Sequence, residues 1–301
     1  MLKSLMQLSS ILIAILFGLG AMLGWGSADF FSKKAIDKVG YAKAMFYMQL
    51  SGIFPLLLIT LLKPTVLVSI TSITLVKLAI FALIYIIAYL FLYLAFEKGQ
   101  LSIVSPVGSS WSAFAMLFSI LIFHEQLSLN IIFWLIIIIL GILILSTDLQ
   151  SLKQDIKNIK NFRAGTLYAL AEALIIGLYI PFYDNFISNS QLNPFFILLI
   201  FRIFMTIYAF IYAFIIKKQK ITISLQDLKL LIFAGFLDVF AYSSFTLGLN
   251  LTNHTSIVSV LSATFTIPTI ILAQIFLKER ITKEQLIGIG LIVAGIVFLV
   301  G

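Results

Sequence analysis

The sequence contains no cysteine, and only two of its 301 residues are histidine. The absence of cysteine excludes a disulfide framework and a thiol nucleophile. His124 and His254 are the only imidazole groups, so little is left for metal binding or acid–base catalysis. A membrane enzyme would need a clustered motif, such as two histidines four residues apart beside a glutamate or a phosphate-binding glycine loop. Neither motif occurs, so we predict no metal, no cofactor and no catalytic residue.

Charged residues are scarce as well. They make up 11% of the chain, whereas 61% of the residues are hydrophobic and the mean hydropathy is +1.14. An ordinary soluble domain of this length does not have this composition, so the lipid bilayer is its solvent. The net charge of +8 comes from short basic clusters between apolar runs. Such clusters are typical of residues that orient a membrane protein, so nucleic acid is not predicted as a partner.

Ten apolar runs follow one another along the chain. Each is long enough to cross about 30 Å of hydrocarbon as a helix. The long polar stretch at 148–163 is typical of a linker that carries a short surface helix. The ten runs lie near residues 9–30, 43–62, 74–96, 101–122, 129–147, 164–183, 194–216, 228–248, 256–276 and 284–300.

An internal repeat divides these runs into two sets. The tetrapeptide Ser-Ile-Val-Ser occupies residues 102–105 and returns unchanged at residues 256–259, a shift of 154 residues. Repeats of this kind are typical of transporter folds. The same shift relates two further pairs, which are Glu125 with Glu279 and Gly141 with Gly295.

Five helices per half have a geometric consequence. Because five is odd, the second half must enter the bilayer from the side opposite to the first. We therefore predict an all-α integral membrane protein with ten transmembrane helices arranged as two inverted five-helix repeats. The first repeat is residues 1–147, the linker is residues 148–163 and the second repeat is residues 164–301.

The basic residues predict the orientation. The loop after helix 1 contains four lysines, whereas its counterpart after helix 6, at 188–193, has no basic residue. Over all loops, 16 basic residues fall on the side of the loops after helices 1, 3, 5, 7 and 9, and three (Lys3, Lys63 and Lys77) fall on the other. The positive-inside rule makes the first side cytoplasmic and predicts that both termini face out.

Several features together resemble the EamA family of the drug/metabolite transporter superfamily. These are the five-plus-five layout, the segment Gly24-Trp25-Gly26-Ser27 that closes helix 1, and the glutamates Glu125 and Glu279 just beyond helices 4 and 9. The resemblance covers essentially the whole chain. It implies a proton-coupled or facilitative carrier of small metabolites, including amino acids, sugars and drugs. It also implies cytoplasmic termini in many members, the opposite of the charge count, and we retain the count.

Three ionisable residues lie within the apolar runs. Glu172 in helix 6, Arg202 in helix 7 and Asp238 in helix 8 all fall near the predicted midplane, where a charge is costly unless it is paired or solvated. One interpretation is that Arg202 binds an anionic group of a substrate while Glu172 or Asp238 binds a proton or an ammonium group. The alternative is a buried ion pair that only fixes helix packing. Gln49 is the repeat counterpart of Arg202 at a shift of 153, which favours a polar cavity between helices 2 and 7.

Prolines and aromatic residues add weaker candidates. Pro106, Pro181 and Pro268 interrupt apolar helices and are candidates for helix bending during transport. Trp111 lies too deep for an interfacial belt, and Trp25 and Tyr179 are at repeat-related positions. These three aromatic side chains either wall a cavity or pack ordinarily in the interior.

The remaining acidic residues have ordinary explanations in the sequence. Asp29 falls at the predicted end of helix 1 beside Lys33, so we interpret it as an interfacial charge. Glu125 and Glu279 lie where the following helices begin, and a carboxylate at a helix N-terminus is stabilised by the helix dipole. Their default role is therefore helix capping.

The sequence as a whole predicts a secondary transporter of the plasma membrane that works by alternating access. Its substrates would be small metabolites, such as amino acids or other zwitterionic or organic-acid solutes, and a proton or another ion could be coupled. A multidrug or sugar carrier of the same fold is the alternative. A channel and a membrane enzyme are alternatives from other classes. The protein is expected to be a monomer or a homodimer in the bilayer.

Overall fold

The computed structural model describes residues 2–62, 70–123, 129–146, 156–188, 190, 192–251, 258, 261–262 and 264–300, and the regular elements there are all helical. π-Helical turns at Ile211–Ile216 and Ala273–Leu277 continue the helices Pro194–Phe210 and Thr266–Leu272. The predicted all-helical fold is confirmed. The helices are α1 Leu2–Val39, α2 Tyr41–Leu62, α3 Ser72–Lys98, α4 Leu101–Ser109, α5 Trp111–Phe123, α6 Leu129–Ser146, α7 Ile156–Ser188, α8 Pro194–Phe210, α9 Leu225–Leu251, α10 Thr266–Leu272 and α11 Lys283–Val300.

Six helical segments in the described chain are long and apolar enough to cross a membrane. They turn large apolar side chains outward, as Leu62 at 81% exposure and Ile73 at 70% illustrate. Such a surface is stable in lipid and would be unstable in water. The six segments are Ile11–Val39, Tyr41–Leu62, Ser72–Lys98, Ala164–Tyr183, Pro194–Ile216 and Leu225–Gly248, and shorter apolar helices lie at Ile132–Gly141, Thr266–Leu277 and Leu286–Phe298.

Helix α1 is longer than the sequence predicted. It continues through Asp29 to Val39, and Gly40, with a φ of +80°, forms the turn into α2. The lysines assigned to a loop after helix 1 are therefore helical, and Lys33 pairs with Asp37 at 2.8 Å. The predicted end near residue 30 was wrong because the stretch from there to Gly40 contains no glycine or proline that would interrupt the helix.

The fourth apolar run is two helices. Helix α4 ends at Ser109 and α5 begins at Trp111, so the continuous helix predicted for residues 101–122 was wrong. Pro106 provides no amide hydrogen. The hydroxyls of Ser109 and Ser110 donate to the carbonyl oxygens of Pro106 and Val107 at 2.9 and 2.6 Å. These side chains compete with the backbone pattern at the end of α4.

The polar linker overlaps a helix. Helix α7 begins at Ile156, so the part of the predicted linker from 156 to 163 is continuous with the helix that follows it. Residues 147–155 lie outside the described part of the chain.

Helix pairing follows a simple pattern. Helix α1 packs along α9, and α3 packs along α7; α2 packs on α8, α4 on α10, and α6 on α11. If a two-fold axis relates the predicted repeats, α1 corresponds to α7 and α3 to α9, so the contact of α1 with α9 is equivalent to that of α7 with α3. Each of the other three contacts joins a helix of the first predicted repeat to the corresponding helix of the second.

The contact between α6 and α11 illustrates the last case. A Cβ atom on Gly141 of α6 would lie 2.8 Å from the carbonyl oxygen of Gly288 in α11. A Cβ atom on Gly295 of α11 would overlap Ile138 of α6. The two repeat-related glycines therefore let the same two helices approach closely from both sides.

Loops assigned to one side of the membrane meet in the structure. Gly99, in the turn between α3 and α4, packs on Gly165 near the beginning of α7, where an added Cβ on Gly165 would lie 2.6 Å from the Cα of Gly99. At the turn between α1 and α2, the Tyr41 hydroxyl is 3.0 Å from that of Tyr212 in the segment that follows α8. These contacts agree with the division of the loops used for the charge count.

Candidate functional site

A cavity of about 440 Å³ lies among the helices. Its walls combine aromatic rings with a small set of charged and hydroxyl groups. The charged groups in its lining are Asp29 of α1, Glu172 of α7, Arg202 of α8 and Asp238 of α9. A concave, mostly apolar space with a few polar groups is the usual form of a small-molecule site.

Arg202 is held by two neighbours. Its Nη2 donates to Oδ2 of Asp238 at 2.5 Å, and its Nη1 donates to Oε1 of Gln49 at 2.7 Å. All three residues are buried. The ion pair that the sequence left as an alternative is therefore present, and its two members also line the cavity.

Gly52 of α2 makes room for this guanidinium group. A Cβ atom on Gly52 would lie 2.5 Å from Nε of Arg202 and closer still to Nη2. Real Cβ contacts are not that short, so any larger residue would displace the arginine. The ion pair thus depends on a glycine that no sequence motif identified as functional.

Glu172 faces the cavity from α7. The residue is 5% exposed, and its Oε2 has no hydrogen-bond donor among the residues that the structure describes. On the opposite wall, a Cβ on Gly108 of α4 would lie 3.1 Å from that oxygen. Glu172 is therefore a buried acceptor directed toward α4 and the cavity.

Asp29 is the acidic residue that the sequence misassigned. Because α1 continues to Val39, Asp29 lies inside the helix and lines the cavity, and the predicted interfacial position was wrong. The hydroxyl of Ser105 donates to its Oδ2 at 3.3 Å. The rule on ionisable residues within a span would have selected Asp29, had the end of helix 1 been placed correctly.

Tyrosines form much of the wall, and most of them were not predicted from the sequence. Tyr85, Tyr89 and Tyr93 follow one another at intervals of four residues along α3, which keeps them on one face of the helix. Tyr85 lies against Tyr179 of α7, with ring centroids 5.1 Å apart. Tyr179 stacks on Tyr183 at 5.0 Å. The spacing of four between tyrosines in an apolar span is the signal that could have identified them.

The three aromatic candidates from the sequence also line the cavity: Trp25, Trp111 and Tyr179. Trp25 packs against the rings of Phe245 and Phe265, with centroids 5.7 and 6.3 Å away. The hydroxyl oxygen of Tyr179 is buried and has no hydrogen-bond partner within the described chain.

The prolines occupy three different positions. Pro181 lies inside α7, and Pro106 lies in α4 four residues before the interruption at Ser110. Pro268 lies in the first turn of α10, where a missing amide hydrogen costs little. A Cβ on Gly26 would lie 2.5 Å from Cγ of Pro268, so the proline also marks a close contact between α1 and α10.

Glu279 caps a helix from the other half of the chain. Its carboxylate accepts hydrogen bonds from the amides of Leu101 and Ser102, both at 2.8 Å, and from the Ser102 hydroxyl at 2.6 Å. The capped helix is α4, not the following helix that we predicted. Glu125, His124 and His254 lie outside the described residues, and within those residues no group of three His, Cys, Asp or Glu side chains could hold a metal.

Repeat-related residues meet around the cavity. Trp25 and Tyr179, which are 154 positions apart, both line it, and so do Asp29 and Tyr183 at the same offset. Tyr85 and Asp238 are 153 positions apart and line it as well. In each of the last two pairs, a charged residue corresponds to an uncharged one at the predicted repeat offset. The charge in the cavity is therefore distributed asymmetrically between the two predicted repeats.

Comparisons with known proteins agree with this architecture. A model of the EamA-like transporter family matches residues 12–147 and 163–301. An uncharacterized protein of Methanocaldococcus jannaschii, MJ1333.1, is 32% identical over 133 residues, which are 44% of this chain and 96% of that protein. A crystal structure, described only as that of a protein, shares the fold with a TM-score of 0.65 at 15% identity over 95% of both chains. The chain therefore belongs to the EamA-like transporter family, within the drug/metabolite transporter superfamily, and is a multi-pass membrane transporter of small molecules.

Proposed function

We propose that the protein is a secondary carrier that works by alternating access and that the cavity of about 440 Å³ is its substrate site. The observation that carries this proposal is the convergence of Asp29, Glu172, Arg202 and Asp238 on a single space deep among apolar helices. Charged groups at membrane depth are retained where they bind substrate or coupling ions. The volume suits a small metabolite.

The proposed scaffold consists of ten transmembrane helices in two inverted repeats, 1–147 and 164–301, joined by the linker 148–163. The pairing of α1 with α9 and of α3 with α7 supports this arrangement. The half-length relative supports it as well, since 44% of this chain covers 96% of that protein. A site between two such repeats is well placed for alternating access.

At one end of the helices, contacts join the two proposed repeats. Besides the contact of Tyr41 with Tyr212, the Tyr47 hydroxyl donates to the Ile221 carbonyl, and Lys43 donates to the Thr222 carbonyl at 3.3 Å. Alternating access requires that these bonds break when the cavity becomes accessible from this side. The charge count makes this side cytoplasmic, with both termini outside the plasma membrane.

The substrate is proposed to be a small metabolite with at least one charged group. A carboxylate on an amino acid or organic acid would have to compete with Asp238 for Arg202, which is paired in this conformation. Glu172 and Asp29 are the proposed sites for a coupling proton or a substrate ammonium group. A monomer contains the whole cavity, so no partner subunit is needed for the site.

The test is counterflow in proteoliposomes. The purified protein is reconstituted into vesicles loaded with an unlabelled solute, and uptake of a trace of the same labelled solute is followed. A carrier exchanges the two and accumulates label transiently, whereas a channel only equilibrates it. Amino acids, organic acids, amines and sugars are each tested, and the absence of accumulation with all of them would contradict the proposal.

A further inference from the structure

We infer that the cavity takes an organic cation, in which a protonated amine or quaternary ammonium group is carried on an apolar or aromatic body. Asp29 and Glu172 would hold the charged group, and the surrounding rings would cover the body. The inference rests on the proposed function, because it names the substrate class of the same cavity.

The charge balance of the lining is the first argument. Three carboxylates and one guanidinium group line the cavity. The guanidinium group of Arg202 is bonded to Asp238. Asp29 and Glu172 remain, and within the described chain neither has a basic side chain within 4.0 Å. An arriving cation would supply the missing charge.

A buried oxygen atom without a partner is the second argument. Glu172 lines the cavity and is 5% exposed, and its Oε2 has no hydrogen-bond partner among the described residues. Buried polar atoms in proteins are nearly always hydrogen-bonded. An ionised carboxylate can only accept, so the complementary ligand carries N–H donors or a positive charge.

The aromatic wall is the third argument. The face of an aromatic ring attracts a cation, most strongly for tryptophan and next for tyrosine. Trp25, Trp111, Tyr85, Tyr89 and Tyr179 all contribute to the lining. Carboxylates set among such rings bind a cation both by charge and by ring contact, and the rings also accommodate an apolar body.

The same lining disfavours an anionic solute. It would approach three carboxylates, and the only basic side chain in the described lining is already paired with Asp238. A zwitterion could satisfy Asp29 or Glu172 with its ammonium group, but its carboxylate would have to share the charge of Arg202 with Asp238. The geometry therefore favours the cation over both.

A matched trio of solutes tests the inference. Phenylethylamine, phenylalanine and phenylacetate share an aromatic body and carry an ammonium group, both charges and a carboxylate, respectively. Binding to the purified wild-type protein is measured by isothermal titration calorimetry. We expect the amine to bind at least about tenfold more tightly than either of the others, a difference of about 1.4 kcal/mol. Equal or weaker binding of the amine, including no binding, overturns the inference without any variant.

Two variants locate the site. Asp29→Asn and Glu172→Gln remove one negative charge each at nearly constant shape, and both are expected to weaken amine binding at least about tenfold. Asp37→Asn and Glu284→Gln make the same changes at exposed positions and should leave the affinity within about twofold. Amine binding that is unchanged in both cavity variants overturns the assignment.

Counterflow separates this inference from the proposed carrier. If the vesicles exchange phenylalanine or phenylacetate but not the amine, the carrier stands and the organic cation is wrong. If the protein binds the amine in the cavity but exchanges none of the three, the substrate class stands and the carrier mechanism is wrong.

Discussion

Arg202 donates from Nη1 to Oε1 of Gln49 at 2.7 Å, and the two residues are 153 positions apart in the chain. This is the offset at which helices 2 and 7 of the two predicted repeats correspond. The contact therefore joins repeat-related positions across the interface of α2 and α8. The pair is complementary because a guanidinium group on α8 donates to an amide oxygen on α2, whereas two arginines at these positions would repel each other.

The pairing of Arg202 with Asp238 should be sensitive to the loss of one partner. In Asp238→Asn the guanidinium group keeps its charge in a buried position, and we expect a loss of about 3 kcal/mol in stability. Thermal unfolding of the purified protein measures it. Asp37→Asn removes a half-exposed partner of Lys33 and should cost about 0.5 kcal/mol or less. Equal unfolding temperatures for the two variants would contradict the assignment of a buried ion pair.

Gly52 should tolerate no side chain. In Gly52→Ala the added methyl group overlaps the guanidinium group of Arg202, and we expect a destabilisation of about 1–3 kcal/mol with loss of exchange. Gly290→Ala is the control, because an added Cβ there meets nothing within 4 Å in the described chain. It should be neutral or slightly stabilising, since alanine favours the helix. The idea fails if Gly52→Ala unfolds and transports as the wild type does.

The cap on α4 should depend on the charge of Glu279. Glu279→Gln keeps one acceptor oxygen but loses the negative charge at the helix N-terminus, so we expect a loss of about 1 kcal/mol. The same substitution at exposed Glu284 is the control for a charge near the beginning of α11. A Glu279→Gln variant as stable as the wild type would show that the cap contributes nothing measurable.

Access to the cavity from the side of the Tyr41–Tyr212 contact should increase when this hydrogen bond is lost. Because the chain lacks cysteine, Ser32→Cys introduces a single thiol in the cavity lining. We expect Tyr212→Phe to speed labelling of this thiol by a maleimide added from the side of the loop at 217–220. Tyr168→Phe, which changes a tyrosine of α7 packed on Phe91, should leave the rate unchanged. Identical rates in the two backgrounds would mean that the hydrogen bond does not hold the end closed.

The orientation in the membrane can also be tested with single introduced cysteines, because the chain contains none. Lys34→Cys and Ser190→Cys lie on opposite sides according to the loop assignment. A maleimide that cannot cross the membrane should label intact cells at position 190 but not at position 34. Labelling of Lys34→Cys alone would reverse the orientation.

Much of the site was accessible from the sequence because charge inside an apolar span is rare and costly. Glu172, Arg202 and Asp238 were found in this way, and Trp25, Trp111 and Tyr179 were found through their depth or the repeat. All six line the cavity, whereas the seventh candidate, Gln49, bonds to Arg202 and is not among the lining residues.

Features that depend on contacts between residues far apart in the chain could not be predicted from the sequence. The sequence could not say that Arg202 pairs with Asp238, since the choice between two carboxylates is made by helix packing. Glu279 was expected to cap the helix next to it, but it reaches α4, 178 residues away in the chain. Asp29 was misassigned for a local reason. The polar residues that follow it resemble a loop in the sequence, but in the structure they continue α1.

Counterflow in proteoliposomes with a matched pair of arginine variants tests the central claim most directly. In the wild type, at least one labelled solute should accumulate transiently above equilibrium. Arg202→Gln, which changes the buried arginine of the cavity, should lose this accumulation, and Arg280→Gln, which changes an exposed arginine, should keep it. No accumulation of any solute in the wild type, or equal exchange by the two variants, would contradict the account.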